Sequence, residues 1–246
     1  MSIRSRFKLL LLGAALCLGG AVPGRAVEIP GLLTTWGTTN LVTTNSIAAV
    51  GPITQVSAGG FHALALRPDG TVAAWGDNTQ GQTNIPAGLS NVVAISAGSQ
   101  HNVVALSNGT VIAWGRNAAQ QTNVPVTLNG VIAVAAGSDH SVALRSNGTV
   151  VAWGVSFALT NVPPSATNVI AISAGTYATV ALRGDGSVVA WGTSINSLTN
   201  VPASVTNVTA ISVGLTHCLA LRGDGSVVGW GDSTYGQISP PVAATN

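Results

Sequence analysis

The stretch VIAVAAGSDHSVALRSNGTVVAWG, residues 131–154, decides the fold. Its first run, Val131 to Ala136, is β-branched and small and stops at Gly137. His140 to Arg145 alternates, and Asn147-Gly148 leads into a second β-rich run that ends on Trp153-Gly154. An Asn-Gly or Asp-Gly pair between two such runs is the strongest short-range hairpin signal, because its turn draws on positive φ at the central positions. The segment therefore predicts three antiparallel strands in a row.

The same text recurs along the chain. Trp-Gly pairs fall at Trp36, Trp75, Trp114, Trp153, Trp191 and Trp230, at spacings of 39, 39, 39, 38 and 39, and all six tryptophans are used this way. Gly59, Gly98, Gly137, Gly175 and Gly214 keep the period. So do the turn pairs at Asp69, Asn108, Asn147, Asp185 and Asp224, each followed by Gly. A period of this length marks a solenoid or a propeller. After Trp75, Trp114, Trp153 and Trp191, each with its Gly, comes a variable loop and then Thr-Asn-Val/Ile-Pro, read as a short fourth strand, since Pro suits only an edge or a strand end. In HALAL (62–66) one side carries Leu64 and Leu66 and the other Ala63 and Ala65. A bulky side against a hollow side is what sheets stacked face to face require. The expected fold is all-β, a β-propeller of four-stranded antiparallel blades. Its repeats are placed at about 53–91, 92–130, 131–168, 169–207 and 208–246, with a half repeat at 36–52. The second repeat reads VVALSNG without the Arg that precedes the other turns, which predicts a local register change there.

These residues, above all 131–154 and DNTQGQTNIP (77–86), resemble the regulator of chromosome condensation repeat family, and the secreted bacterial branch that includes β-lactamase inhibitor protein II is the closer match. The resemblance spans 36–240 and implies seven blades. Five and a half repeats fall short of seven, so the expectation is an open arc cut short at its C-terminal side.

Residues 1–26 read as a secretory signal peptide: Arg4, Arg6 and Lys8 in front, an apolar run from Leu9 to Val22, and a small-residue cleavage site at Ala26. The domain proper is then 27–246, and the protein is expected to be secreted, periplasmic or at the cell surface. Four of the nine Lys and Arg residues leave with that peptide, so five Arg face seven acidic residues and no Lys remains. A basic nucleic-acid footprint is absent. No later apolar run is long enough to span a bilayer. Cys218 alone remains in the mature chain and reads as a small buried hydrophobe.

Little of the inventory suits chemistry. The only Glu is Glu28, which leaves glycosidase-type carboxylate pairs hard to build. Asp139, His140 and Ser141 are neighbours, yet adjacent strand residues point to opposite faces, so they form no triad. His62, His101, His140 and His217 share one repeat position, three past the turn glycine. They read as structural residues bonding backbone, together with the repeat tryptophans Trp75, Trp114, Trp153, Trp191 and Trp230. Metal ligation, a cofactor and enzymatic activity are not expected. Arg67, Arg183 and Arg222 stand two residues before a turn Asp and suggest local ion pairs. Chain direction puts the Ala-Gly turns and the Trp-Gly loops at one end of the blades. Phe61, Phe157, Tyr177 and Tyr235 all map there, joined by Asn78, Arg116 and Asp139. Aromatic residues at variable positions on one face suit partner anchoring. The expected function is a non-catalytic scaffold binding a protein through this loop face; the alternative is a glycan-binding or spacer module of a larger exported protein.

Overall fold

The structure is a computed structural model, and it describes residues 52–154 and 156–240. The expected signal peptide, the half repeat and the last six residues lie outside the described residues.

Five three-stranded antiparallel sheets follow one another along the chain. The first holds β1 (Gln55–Ala58), β2 (His62–Leu66) and β3 (Val72–Gly76). The second holds β4 (Val92–Ala97), β5 (His101–Leu106) and β6 (Val111–Gly115). The third holds β7 (Val131–Ala136), β8 (His140–Arg145) and β9 (Val150–Gly154). The fourth holds β10 (Val169–Ala174), β11 (Ala178–Arg183) and β12 (Val188–Gly192). The fifth holds β13 (Val208–Val213), β14 (His217–Arg222) and β15 (Val227–Gly231). Each sheet is a blade that packs on the next, and no sheet joins the first and last repeats among the described residues. The β-propeller reading therefore stands, as an arc of five blades.

The fourth strand does not form in the described residues. Thr-Asn-Val-Pro closes on itself instead: Val124 N donates to Thr122 O and Leu128 N to Pro125 O, and the Pro contributes no donor. Val124, Val162 and Val201 then lie against the blade cores as apolar cover.

The hairpin turns also differ from expectation. In Ser107-Asn108-Gly109 only Gly109 has positive φ, at 80°, and Gly109 N donates to Leu106 O. This is a three-residue loop, a type I turn followed by a left-handed glycine. The Asn Oδ1 accepts from both Thr110 N and Thr110 Oγ1, so Asp or Asn serves equally there. Arg183 and Arg222 reach the Ser187 and Ser226 hydroxyls that also donate to Asp185 and Asp224, so guanidinium and carboxylate meet on a shared hydroxyl.

The second blade shows no register change of its own. Asn102 pairs with Trp114 as Ser141 pairs with Trp153, and Leu106 takes the place of Arg145 opposite the first strand. A β-bulge instead opens the first strand of blades two to five alike, turning Val93, Ile132 and Ile170 out to solvent.

The bulky-against-hollow packing is observed. Leu64 and Leu66 of blade one meet Val104, Ile95 and Trp114 of blade two. Val142 and Leu144 of blade three meet Ala181 and Trp191 of blade four, and Val180 and Leu182 meet Ala220 and Trp230 of blade five. Burying a Leu or Val side chain contributes roughly 1.5–3 kcal/mol, so these interfaces carry most of the stability. The outermost face of blade five carries the same pattern uncovered: Leu221 is 38% exposed, where Leu144 and Leu182 are buried.

At the axis the turn glycines set the spacing. A methyl group built on Gly59, Gly98, Gly137 or Gly175 would lie closer than 3.0 Å to the carbonyl oxygen of Gly98, Gly137, Gly175 or Gly214 respectively. Only glycine lets adjacent blades approach this closely. Ser57, Ser96 and Ser173 tighten the same seam by accepting Ala97 N, Ala136 N and Val213 N at 2.8, 2.9 and 3.1 Å.

Candidate functional site: the loop face

The β1–β2 type turns and the loops after each third strand lie at one end, hydrogen-bonded together. Asp77 N donates to Phe61 O, Arg116 N to Gln100 O, Thr193 N to Tyr177 O and Asp232 N to Thr216 O. The five turns ring an open cleft of about 480 Å³ at the axis.

Each loop is also a wedge between blades. Trp114 Nε1 donates to Gln82 O at 3.0 Å, Trp153 Nε1 to Gln121 O at 2.9 Å, Trp191 Nε1 to Leu159 O at 3.0 Å and Trp230 Nε1 to Leu198 O at 2.9 Å. The four acceptor residues are buried. The tryptophan of one blade thus clamps the loop of the blade before it. This wedge went unread in the sequence, although its signal is there: every acceptor stands directly before Thr-Asn.

His62, His101 and His140 serve the same clamp. His62 Nε2 lies 2.8 Å from Asn102 Oδ1, His101 Nε2 3.0 Å from Ser141 Oγ and His140 Nε2 2.8 Å from Thr179 Oγ1. Asn102 Nδ2 donates onward to Gln82 O and Ser141 Oγ to Gln121 O, so each receives its hydrogen from the imidazole. The expected backbone partner is replaced by a side chain one blade away, because the ring reaches across the interface. Burial holds these imidazoles neutral: His101 is pushed down to about 3 and His140 to about 4, while Asp139 partly offsets the effect at His140. His62 is also lowered by burial, against the opposing pull of Asn102 and Asp77. In the fourth blade Ala178 replaces the histidine, and the residue facing it is Cys218 rather than Asn, Ser or Thr. Donor and acceptor are lost together, which avoids a stranded buried polar group. Burial pushes the Cys218 thiol up to about 12, so it stays protonated and unreactive.

The predicted anchor residues divide into two sets. Phe61, Phe157 and Tyr235 are 61, 78 and 91% exposed on this end. Phe157 stands on α1 (Phe157–Thr160), a single helical turn. Tyr177 instead packs partly against the core shared by blades four and five. Asn78 braces its own loop: Nδ2 donates to Asn84 Oδ1 at 2.8 Å and Oδ1 accepts Thr83 N, a pattern that Asn117 repeats with Asn123 and Thr122. Arg116 and Asp139 form an ion pair from the loop of blade two to the turn of blade three. These three polar residues therefore hold the face in shape. Asp77 and Asp232 are held below the usual carboxylate range, first by hydrogen bonds from Thr79 and Thr234.

A propeller of short repeated blades, clamped by tryptophan, is the class these features define. The chain belongs to the Regulator of chromosome condensation (RCC1) repeat family, which matches at residues 53–82, 92–121, 131–157, 169–197 and 208–237, more than half of its length. No curated protein matches the chain in sequence. Among solved structures it is similar to human WBSCR16, with 22% identity and a TM-score of 0.61 over 73% of this chain and 61% of that one. It is also similar to the ectodomain of the Physcomitrella patens receptor kinase CR4, with 26% identity and a TM-score of 0.61 over 76% and 53% of the two chains. Yeast RCC1 (Prp20), solved bound to Kap60, shares 17% identity with a TM-score of 0.54 over 74% and 70%. The chain thus spans between about half and two thirds of the first two structures. Within the described residues, no helix is long and apolar enough to cross a membrane.

Proposed function

We propose that this chain is a secreted, non-catalytic repeat scaffold that binds a protein partner through its loop face. The observation that carries the reading is the exposure of Phe61, Phe157 and Tyr235 at one end, on loops whose clamping residues are elsewhere. The frame needs Gln82, Gln121, Leu159 and Leu198 inside; it has no use for three aromatic rings outside. Rigid aromatic side chains bring large contact area at small entropic cost. Export is supported by the basic-then-apolar leader of residues 1–26. The same fold is described with protein partners elsewhere: yeast RCC1 bound to Kap60, and Prp20p with Gsp1p and histones.

The test is affinity capture from secreted extracts beside a glycan array, using the parent chain and Phe157→Ala/Tyr235→Ala. A protein captured by the parent and held at least about tenfold more weakly by the variant, at unchanged melting temperature, supports the proposal. Saccharide binding without protein capture favours the glycan module, and binding to neither favours a spacer.

A further inference from the structure

One tryptophan among the described residues is left without its carbonyl. Trp114, Trp153, Trp191 and Trp230 are buried, and each donates Nε1–H to a backbone oxygen 32 residues earlier. Trp75 occupies the same place in blade one, yet it is half-buried and its Nε1 has no partner among the described residues. The face around it is hollow, with Ala63 and Ala73 also half-buried. This is the type of surface that every other blade covers with the loop of its predecessor.

Counting back the same interval from Trp75 reaches Thr43, and Thr44-Asn45 follow it, as Thr-Asn follows Gln82, Gln121, Leu159 and Leu198. The reach is also right. Asn84 precedes Val92, where the second blade begins, by the same number of residues as Asn45 precedes Ile53. Thr54 N already donates to Leu66 O, which anchors the end of that connection on the sheet.

We propose that segment 37–45 of this chain docks on the open face of blade one, with the Thr43 carbonyl accepting the Trp75 Nε1 hydrogen. The segment fills the hollow left by Ala63, as the Gln82 loop lies beside Asn102 and Trp114. It also adds a sixth loop to the face that carries Phe61.

Nuclear magnetic resonance on the full chain tests this directly, with the Trp75 indole proton assigned through Trp75→Phe. The expected result is a nuclear Overhauser contact from that proton to the Thr43 or Thr44 backbone. Exchange with solvent should be at least about tenfold slower than for a free indole, as for Trp114. Deleting residues 38–45 should release Trp75 while Trp114, Trp153, Trp191 and Trp230 stay protected. An indole proton that exchanges freely in the full chain overturns the proposal, as does protection that survives the deletion. Should the deletion unfold every blade, the presence or absence of the contact in the full chain decides alone.

Discussion

The loops of blades one and two differ from those of blades three and four in how they are held. In the first pair a glutamine is the wedge. Gln82 and Gln121 turn their side-chain oxygens back onto Gln80 N and Ala119 N, and their carbonyls take two hydrogens each, from Trp and from Asn102 or Ser141. In the second pair a leucine is the wedge. Leu159 and Leu198 fill the pocket with hydrocarbon, their loops wind into α1 and a 3-10 turn at Ile195–Ser197, and among the described residues the tryptophan alone holds each carbonyl. One repeat frame thus accepts a polar brace or an apolar plug. The difference teaches that the constant element is the carbonyl–indole clamp, while everything around it is negotiable.

The largest effect that would break this comparison comes from the clamp itself. Trp191→Ala should cost about 3–5 kcal/mol in denaturant unfolding, as for other buried large aromatics. The finer contrast uses phenylalanine. Trp191→Phe strands the Leu159 carbonyl and should cost about 1–3 kcal/mol, whereas Trp153→Phe leaves Ser141 on Gln121 and should cost about 0.5–1.5 kcal/mol. Equal losses at the two sites would remove the distinction drawn between brace and plug.

The interface between blades four and five offers a second way in. Ala178→His alone puts an imidazole against Cys218 with no good acceptor, a loss of about 1–3 kcal/mol. Ala178→His/Cys218→Ser should recover part of that loss, since it rebuilds the pair that His101 makes with Ser141. A double-mutant cycle with no coupling between the two changes would show that these positions do not act as a unit.

Acid titration gives the smallest and most diffuse effect. His101 and His140 stay neutral in the fold down to about 3 and 4, whereas the unfolded chain takes up those protons near pH 6.5. The unfolded state therefore binds more protons as pH falls below 6.5. Stability is full above that value and declines toward pH 4, by at most about 1.4 kcal/mol per pH unit for each histidine. His140→Ala/Thr179→Cys, which copies the blade four and five interface, should flatten the profile; an unchanged slope would reject the assignment.

Much of the fold was legible because the repeat states it five times. The Trp-Gly and Asp/Asn-Gly landmarks placed every strand pair, and HALAL placed the stacking faces. What escaped was contact between repeats, which leaves its mark at intervals near one period rather than within a motif. The His62–Asn102 pairing and the Gln82–Trp114 clamp both cross that gap. Pro was read as a strand end when its lost donor favoured a local turn, and the missing Arg of VVALSNG changed nothing because Leu106 fits the same site. On the loop face, Phe61, Phe157 and Tyr235 are exposed, while Tyr177 packs partly against a core. Asn78, Arg116 and Asp139 bond to neighbours within the protein, which their solvent-friendly side chains did not disclose.

The glycines at the axis carry one more implication. Since Gly59, Gly98, Gly137 and Gly175 each abut the following carbonyl, the approach of neighbouring blades is set at the axis by residues other than the variable loops. From seam to seam the loop changes from DNTQGQ to RNAAQQ and into α1, while a Cβ on the turn glycine would stay closer than 3.0 Å to the next carbonyl oxygen. Variety in the loops and regularity of the seams thus rest on different residues of the same repeat.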